Sequence, residues 1–593
     1  MLMNGSKPAS DHQLVITRFL KNHMTGRRVM RLPDQLFPTW RYQAILRAIL
    51  PGIVIAFLLS AIAMLCLVTL SMSGIGQSGH NLGAVWPVLV SGSVQAALST
   101  LFSLSLGLLA ALSLQHIWPS IRRKWQKSAL NGLLHLSLLA MVLPTTVAAA
   151  GLLGVIGRSG VISDLSMQFF GVRLTLPYGL WLVVLAHGFF NAPLVMRVCF
   201  SALITRPSHH ARLSSQIGLG WMQRFRWLYW PVLKPLLPGL AGLVFLLCFT
   251  SFALVLMLGG GPRVTTLELA IYTALRFEYN LPYAAQLALI QWGFCLVIIG
   301  LLARHAPAIY TPIQPDAERL IQPTSGGLRA FGWLILGLYS VFISAPILIL
   351  AFRFTLEGLS LFLWPVFWQA ARYSMIIAIC SALLSIIMAF FISYALYHTS
   401  LIAGYRVWSG WLSRFIQLSA HIYLCLPAIL LGSAAFLLLF RFMDVEKAAL
   451  WLVILANALF GLPFGLRMIH GRLTQILNAQ TRNMQMMGLG FFKRLTHIIV
   501  PAMRMECGAA LILVGALSFG DFGLIALFGS SEMQTLPYLM YSLLNRYGGP
   551  EADMLALVMA GIILFSLWGF QLFLEKLAHQ NRSSKEGAKH AKT

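Results

Sequence analysis

Two copies of one short pattern, one in each half of the chain, decide the fold. The first copy is Gln216-Ile217-Gly218-Leu219-Gly220-Trp221, continuing to Trp230-Pro231, and the second is Met486-Met487-Gly488-Leu489-Gly490-Phe491, continuing to Val500-Pro501. Matching positions such as Gly218 and Gly488 are 270 residues apart. Glycine permits a tight turn and proline interrupts a helix. Each copy therefore predicts a short helix, a turn at Gly-Leu-Gly, and a second short helix that ends at Pro231 or Pro501.

The second helix of each copy is predicted to have one apolar face. In the first copy, Trp221, Phe225 and Leu228 fall at positions i, i+4 and i+7 of a helix. The matching residues of the second copy are Phe491, Leu495 and Ile498. A basic, amphipathic helix between two long apolar segments is suited to docking onto another protein. The alternative is that these side chains pack against the chain's own membrane spans.

The composition indicates a membrane protein. Of the 593 residues, 58% are hydrophobic and 10% are charged, and a soluble protein of this length does not bury so much apolar surface. The sequence predicts an all-α polytopic membrane protein with about twelve transmembrane helices in two homologous six-helix halves. The predicted spans are 50–71, 86–113, 130–156, 177–200, 237–258 and 283–303 in the first half, and 330–352, 367–396, 413–440, 448–469, 507–528 and 554–574 in the second.

The basic residues predict how the chain is oriented. The net charge is +26, and most of the 43 Lys and Arg residues lie in the N-terminal segment, the loops after even-numbered spans, the central linker and the C-terminal tail. The positive-inside rule places both termini and both Gly-Leu-Gly loops in the cytoplasm. Because these charges lie between spans and not on one soluble basic face, nucleic-acid binding is excluded.

Five segments follow from this pattern. They are a cytoplasmic N-terminal extension at 1–48, a first membrane half at 49–303 with its docking loop at 201–236, a linker at 304–328, a second membrane half at 329–577 with its docking loop at 470–506, and a basic cytoplasmic tail at 578–593. The extension either lies along the membrane surface or precedes a translation start at Met24 or Met30.

Polar and proline residues inside the predicted spans are candidates for a translocation pathway. Asp521 lies within an apolar span, where a carboxylate costs about 2.5–3.5 kcal/mol. It either faces a pathway or makes a structural bond to Ser518 or a nearby backbone amide. Ser251 is the matching residue of the first half. Pro193 and Pro463, also a matched pair, either kink helices along the pathway or serve helix packing.

Two further groups of residues have side chains suited to binding. Tyr272, Phe277, Tyr538 and Tyr541, near the predicted external mouth, either stack on a cationic ring or anchor the chain at the membrane interface. No metal site is predicted, because the pair His209-His210 has no second ligand pair at zinc spacing.

The paired loops resemble the cytoplasmic EAA loops of ABC importer permeases, in which an Ala-rich helix, a glycine and a later proline form a coupling helix. The glycine-to-proline spacing fits in both halves, although Arg212-Leu213-Ser214 and Arg482-Asn483-Met484 stand where Glu-Ala-Ala is usual. The fused two-half arrangement is similar to that of iron, thiamine and related permeases. Within that group the chain is most similar to the thiamine permeases, through stretches that include Ser251-Phe252-Ala253, Leu258-Gly259-Gly260-Gly261-Pro262 and Leu517-Ser518-Phe519-Gly520-Asp521-Phe522-Gly523.

The resemblance implies a non-enzymatic permease subunit of an ATP-driven importer in a bacterial inner membrane. It implies uptake of thiamine and its phosphates, delivered by a periplasmic binding protein, and a separate ABC ATPase dimer that binds the ATP. The chain itself contains no Gly-x-x-x-x-Gly-Lys-Ser/Thr motif, so no cofactor is expected in it. The residues expected to couple to the ATPase are Gly218, Gly220, Trp221, Phe225, Pro231, Gly488, Gly490, Phe491, Leu495 and Pro501.

Two alternatives remain open from the sequence. One is an ABC permease for ferric iron or another small solute, since iron permeases share the duplication. The other belongs to a different class, an ion-coupled secondary transporter, which can also be built from internal repeats.

Overall fold

The computed structural model is helical, and no strand occurs among the residues that it describes. These residues are 50–60, 82–118, 123–303, 326–421, 431–432 and 445–569, with gaps at 159, 176, 205–213, 215, 262–263, 404–406, 487–489, 530–532 and 547–548. The predicted N-terminal extension, almost all of the linker and the basic tail lie outside the described residues, as does Gly488. Long apolar helices are the expected form, because a helix satisfies its own backbone hydrogen bonds inside a bilayer.

The first half consists of eleven described helices. They are α1 (Leu50–Ser60), α2 (Leu82–Ile117), α3 (Lys124–Val142), α4 (Thr145–Ile156), α5 (Val161–Phe170), α6 (Leu180–Ile204), α7 (Trp221–Leu233), α8 (Leu237–Phe249), α9 (Ala253–Leu258), α10 (Leu267–Arg276) and α11 (Leu281–Ala303).

The described helices of the second half follow the order of α1 to α3 and then of α6 to α11. Its described helices are α12 (Gly326–Phe352), α13 (Pro365–Ala403), α14 (Val407–His421), α15 (Val445–Met486), α16 (491–502), α17 (Arg504–Phe519), α18 (Gly523–Phe528), α19 (Leu536–Asn545) and α20 (Pro550–Gly569). A short 3₁₀ helix, Leu356–Leu363, lies between α12 and α13.

Membrane-crossing helices are numerous, but the predicted count of twelve is not confirmed. Within the described residues, nine helical segments have the length and composition to cross a membrane, when α4 is counted with α5 and α17 with α18, and the bent pair α7–α8 would make ten. The predicted spans 50–71 and 413–440 are described only in part, through α1 and the end of α14 with residues 431–432. The predicted span 130–156 is divided at Leu143-Pro144 into α3 and α4, because proline disfavours a helical residue before it.

The two halves exchange their first helices. In the first half, α1 packs on α13 of the second half so closely that a Cβ at Gly52 would collide with the carbonyl oxygen of Phe391. In the second half, α12 packs on α2, α3 and α4 of the first half, and Tyr339 Oη lies 3.2 Å from Ser137 Oγ. A Cβ at Gly151 of α4 would likewise collide with the carbonyl oxygen of Pro346. Each half is therefore completed by a helix from the other.

The helices that carry the repeated pattern differ from the prediction in two respects. Pro231 and Pro501 lie inside α7 and α16 and do not end them. Directly before each proline the helix widens to a π turn, in which Trp230 N–H bonds to Phe225 O. The matching bond runs from Val500 N–H to the carbonyl of Leu495. A proline has no N–H and its ring clashes with the carbonyl four residues earlier, so a wider turn accommodates it.

The second difference concerns the first short helix of the second copy. It was expected to be separate, but α15 continues without interruption from Val445 to Met486. The predicted span 448–469 is therefore the membrane part of a longer helix that carries the chain directly into its docking loop.

Candidate functional site

The turn of the first copy is located at one of its two glycines. Gly218 has φ +70°, a left-handed conformation that side chains rarely adopt. Gly220 has φ −68°, which any residue can adopt, and its N–H donates to Gln223 Oε1 at 3.0 Å. Arg224 N–H bonds to the carbonyl of Gly220, as Arg494 N–H does to that of Gly490 in the second copy. The two elements therefore begin their helices in the same way.

The predicted apolar face of α7 packs largely against its own chain. The Trp221 ring lies 5.3 Å from the His116 ring of α2 and 6.0 Å from the Tyr229 ring, centroid to centroid. Phe225 is half-buried between Trp221 and Trp230. These contacts anchor α7 beneath the first half.

In α16, Leu495 is half-buried, and the side chain of Phe491 lies outside the described residues. Pro231 and Pro501 are both exposed. The two copies thus present their prolines alike at the surface.

A different face of the first copy is open. Ile217, Met222 and Trp227 expose 64%, 69% and 67% of their surface, and the Arg226 guanidinium lies over the Trp227 ring at 5.8 Å from its centroid. The sequence did not predict that these residues are exposed. The helical period identifies an apolar face but does not show which of its side chains are packed against other residues. We call Ile217, Met222 and Trp227 the exposed coupling face.

Two helix breaks occupy matching positions in the two halves. Helix α8 ends at Phe249 and α9 begins at Ala253. Helix α17 ends at Phe519 and α18 begins at Gly523. Each break contains three residues, Thr250-Ser251-Phe252 and Gly520-Asp521-Phe522. The predicted pathway residues Ser251 and Asp521 are therefore the central residues of the two breaks.

The breaks meet at the interface between the halves. The Phe252 and Phe522 rings are nearly parallel, with an angle of 8° and centroids 6.1 Å apart. The Tyr272 ring of α10 lies 4.9 Å from the Phe252 ring, and the Tyr541 ring of α19 lies 4.9 Å from the Phe522 ring, centroid to centroid. Phe252 and Phe522 are buried. We call these four rings, Phe252, Phe522, Tyr272 and Tyr541, the ring quartet.

A third helix break closes the interface beside the quartet. A Cβ at Gly520 would lie 3.0 Å from Pro144 Cα, so the break between α3 and α4 packs directly on the break between α17 and α18. Helix α4 also contacts α9 of its own half and α19 of the other half. Three interrupted helices thus converge on one region between the halves.

Asp521 carries the only carboxylate in either of the two matching breaks. Its Oδ1 accepts from Gly523 N–H at 3.1 Å, a local bond that starts α18. The Asn457 side chain of α15 lies beside the carboxyl group. Three buried side-chain atoms here have no hydrogen bond that meets distance and angle limits within the described residues. They are Asp521 Oδ2, Asn457 Nδ2 and Ser518 Oγ. One carboxylate oxygen therefore bonds a backbone amide, and Asn457 and the Leu524 backbone also lie close to the carboxyl group. A role for Asp521 in the pathway stays a prediction.

The matching region of the first half holds a neutral polar network. His187 matches Asn457 in sequence, and its Nδ1 lies 2.9 Å from Gln95 Nε2 and 3.2 Å from Ser99 Oγ. Cys248, which matches Ser518, accepts from Asn191 Nδ2 at 3.3 Å. Two atoms of this network, His187 Nε2 and Gln95 Oε1, have no partner among the described residues.

The matched prolines lie within uninterrupted helices and not in the breaks themselves. Pro193 and Pro463 lie buried within the uninterrupted helices α6 and α15. They face the interior at equivalent positions, four residues before the half-buried Arg197 and Arg467. A role for them in the pathway stays a prediction.

Two titratable groups on α10, between the spans, are perturbed by burial. Burial raises the pKa of Tyr272 to about 12, so its ring stays neutral. Burial also raises the pKa of Glu268 to about 8, against a smaller opposing effect of the bond donated by Gln291 Nε2 at 3.0 Å. Glu268 is therefore mostly protonated at neutral pH and adds little negative charge near the quartet.

The sequence contained signals for the residues that were missed. Phe252 and Phe522 occur at matching places in the duplicated segments, and His187 and Asn457 follow nearly identical runs, Trp181-Leu182-Val183-Val184-Leu185-Ala186 and Trp451-Leu452-Val453-Ile454-Leu455-Ala456. A matched pair of aromatic residues next to a matched polar position was the available clue. Their contact across the interface could not be inferred from the sequence.

No family model matches this chain. Among curated proteins, it is similar to the thiamine transport system permease protein of Salmonella typhimurium strain LT2, with 30% identity over 94% of this chain and 98% of the relative. The Escherichia coli K12 protein of the same description is 32% identical over 84% of this chain and 90% of the relative. The Brucella abortus strain 2308 protein is 33% identical over 73% of this chain and 79% of the relative.

Proposed function

Since the chain belongs to the family of thiamine transport system permease proteins, we propose that it is the membrane subunit of an ATP-driven importer that takes up thiamine. The observation that carries the proposal is 30% identity along 94% of the chain to a relative with that description. The match covers both halves, so the fused arrangement belongs to the likeness. It supports thiamine over ferric iron as the substrate.

The proposed partners are an ABC ATPase dimer on the cytoplasmic side and a soluble binding protein on the external side. No phosphate-cradling Gly-x-x-x-x-Gly-Lys-Ser/Thr sequence is present in the chain, so ATP is bound and hydrolysed by the partner. The chain contributes no catalytic residue and holds no cofactor of its own. Its own chemistry is limited to selecting, admitting and releasing the solute.

The two repeated helices are the proposed contacts to the ATPase. The exposed coupling face offers large apolar side chains in the first copy, beside the turn that Gly218 makes possible. The inner face, including Trp221, holds the helix against its own half. A contact that moves α7 therefore also moves the helices that α7 packs on.

Each coupling helix is joined to a central break by one helix. Helix α8 has 13 residues, a length of about 20 Å, and runs from the end of α7 to the break at Ser251. Helix α17 has 16 residues, about 24 Å, and runs from α16 to the break at Asp521. In the proposed mechanism, ATP binding draws the two ATPase subunits together, α7 and α16 move with them, and α8 and α17 transmit the movement to the breaks. The halves then alternate between inward-open and outward-open states.

The proposed location is the bacterial inner membrane, with both termini and both coupling helices in the cytoplasm. The multiple apolar helices and the bacterial relatives support a multi-pass inner-membrane protein. The orientation rests on the distribution of Lys and Arg between the loops.

The test is uptake of labelled thiamine by cells that lack their own thiamine importer, with and without this chain, its ATPase and its binding protein. We expect uptake only when all three are present, and loss of uptake on ATP depletion. Uptake that survives ATP depletion but stops when the ion gradient is collapsed would identify a secondary transporter. Uptake of ferric iron without uptake of thiamine would identify an iron permease.

A further inference from the structure

The ring quartet joins the two halves at the point where both helices are interrupted. The centroids of the parallel Phe252 and Phe522 rings are 6.1 Å apart, and each ring contacts a tyrosine ring at 4.9 Å. Each half contributes one phenylalanine and one tyrosine, so the cluster is nearly symmetric. Any movement of one half relative to the other must separate the two phenylalanines or slide them past each other.

The two phenylalanines are too close together in this structure to hold a flat ligand between them. A ring held between two parallel rings needs van der Waals contact on both faces, which places the outer rings about 7–8 Å apart. The ring centroids are 6.1 Å apart, so the two rings must separate or slide past each other before an aromatic ring can enter between them. Tyr272 and Tyr541 contact Phe252 and Phe522, respectively, with centroids 4.9 Å apart in each pair.

The negative charge beside the quartet comes from one half alone. Asp521 directly precedes Phe522, and its Oδ2 has no hydrogen-bond partner among the described residues. Asn457 Nδ2 and Ser518 Oγ, on the adjacent helices, are also buried without such a partner among the described residues. The C-terminal end of α17, at Phe519, adds the negative end of a 16-residue helix. In broken transport helices, such carbonyl ends and side chains are the usual partners of cations.

We propose that the ring quartet and Asp521 form the selectivity site of the permease, which closes the pathway when empty and binds a flat aromatic cation between Phe252 and Phe522 when open. This inference rests on the proposed function, because thiamine carries a flat, positively charged thiazolium ring. The rings contact its two faces through cation–π attraction, and Asp521 Oδ2 faces its charge.

The asymmetry between the halves explains why one charge is present and not two. A monovalent cation needs one carboxylate, and a second one at Ser251 would remain unpaired in an apolar surrounding. The first half has a serine there, and His187, at the place of Asn457, is engaged by Gln95 and Ser99. The site therefore combines a symmetric ring pair with a single charge.

The test compares the import of thiamine with that of a neutral isostere, in which the thiazolium is replaced by an uncharged thiophene ring. Both labelled compounds are supplied to cells that carry the full chain with its ATPase and binding protein. Every variant shares the same binding protein, so a change in the ratio of the two uptake rates originates in this chain. The critical variant is Asp521→Asn, whose side-chain oxygen still accepts from Gly523 N–H and so preserves the start of α18.

We expect Asp521→Asn to lower the ratio of cation to neutral uptake about tenfold, and Asp521→Glu to keep most of the preference. The matched control Ser251→Asn should leave the ratio unchanged. Phe252→Leu or Phe522→Leu should slow both compounds and weaken the preference. Phe342→Leu, which removes another ring contact between the halves, with Phe102 at 5.9 Å, should not change the ratio.

Two results separate this inference from the proposed function. If the unmodified chain imports thiamine, and Asp521→Asn at normal membrane abundance keeps the wild-type ratio, the selectivity site is refuted while thiamine import stands. If the unmodified chain imports no thiamine, both are refuted. The ratio of the two uptake rates does not depend on the number of transporters per cell, so a low membrane abundance of Asp521→Asn does not alter it.

Discussion

The two helix breaks have the same backbone and different chemistry. Both are three residues long, both end in a phenylalanine, and the two phenylalanines stack across the interface. The first break has Ser251 at its centre and a neutral network around His187. The second has Asp521, whose Oδ1 accepts from Gly523 N–H and whose carboxyl group lies beside the Asn457 side chain. The duplicated chain gives both breaks the same length, whereas divergence of a few side chains leaves a carboxylate in one break alone, which is the basis of the charge preference that we propose.

The packing around the breaks differs as well. Gly520 of the second break lies directly against Pro144 of the first half. Its counterpart Thr250 donates its hydroxyl to the carbonyl of Leu246 at 2.9 Å, within its own helix. Packing against the other half therefore stabilises the second break, whereas a hydrogen bond to the preceding helix α8 helps to stabilise the first.

The largest effect is expected from a charge added to the first break. Ser251→Asp would place a second carboxylate near Asp521, without a matching partner, in an apolar surrounding. We expect a cost of about 2.5–3.5 kcal/mol, seen as low membrane abundance and a lower unfolding temperature of the detergent-solubilised protein. Ser251→Asn is the control for size. Normal abundance and transport in Ser251→Asp would show that the two breaks are chemically equivalent.

The second effect concerns packing between the halves. Gly520→Thr gives the second break the residue of the first, and its Cβ would press on Pro144. We expect a loss of about 1–3 kcal/mol, measured by thermal unfolding, together with slower uptake. The reverse exchange, Thr250→Gly, removes one hydrogen bond and should cost about 1 kcal/mol. Equal losses for the two exchanges would contradict the asymmetry in packing.

The smallest effect is expected at the coupling turns. Gly218→Val forces a β-branched residue into a left-handed conformation, at a cost of about 1–2 kcal/mol, and should reduce uptake per ATP hydrolysed more than membrane abundance. Gly220→Ala, at an ordinary backbone conformation, should leave both unchanged. Gly488→Val should match Gly218→Val if the two coupling elements work alike. Full coupling in both valine variants would exclude these turns from transmission.

Much of the architecture was predictable from the sequence, because it depends on local or additive properties. Composition places the chain in a membrane, and the 270-residue repeat defines two halves. The helical period finds the amphipathic coupling helices, and Asp521 is conspicuous as a charge in an apolar run. The family resemblance rested on glycine and proline spacing, which is also local.

The tertiary structure alone decided which surfaces meet. The exchange of α1 and α12 between halves is set by close contacts such as Gly52 with Phe391, and these residues are far apart in the chain. The period of α7 predicts an apolar face, but only packing on His116 shows that Trp221 is covered and Trp227 is open. Phe252 and Phe522 are ordinary apolar residues in sequence. Their stacking arises because two helices stop at equivalent places on opposite sides of one interface, and such a contact between distant segments leaves no mark in either segment alone.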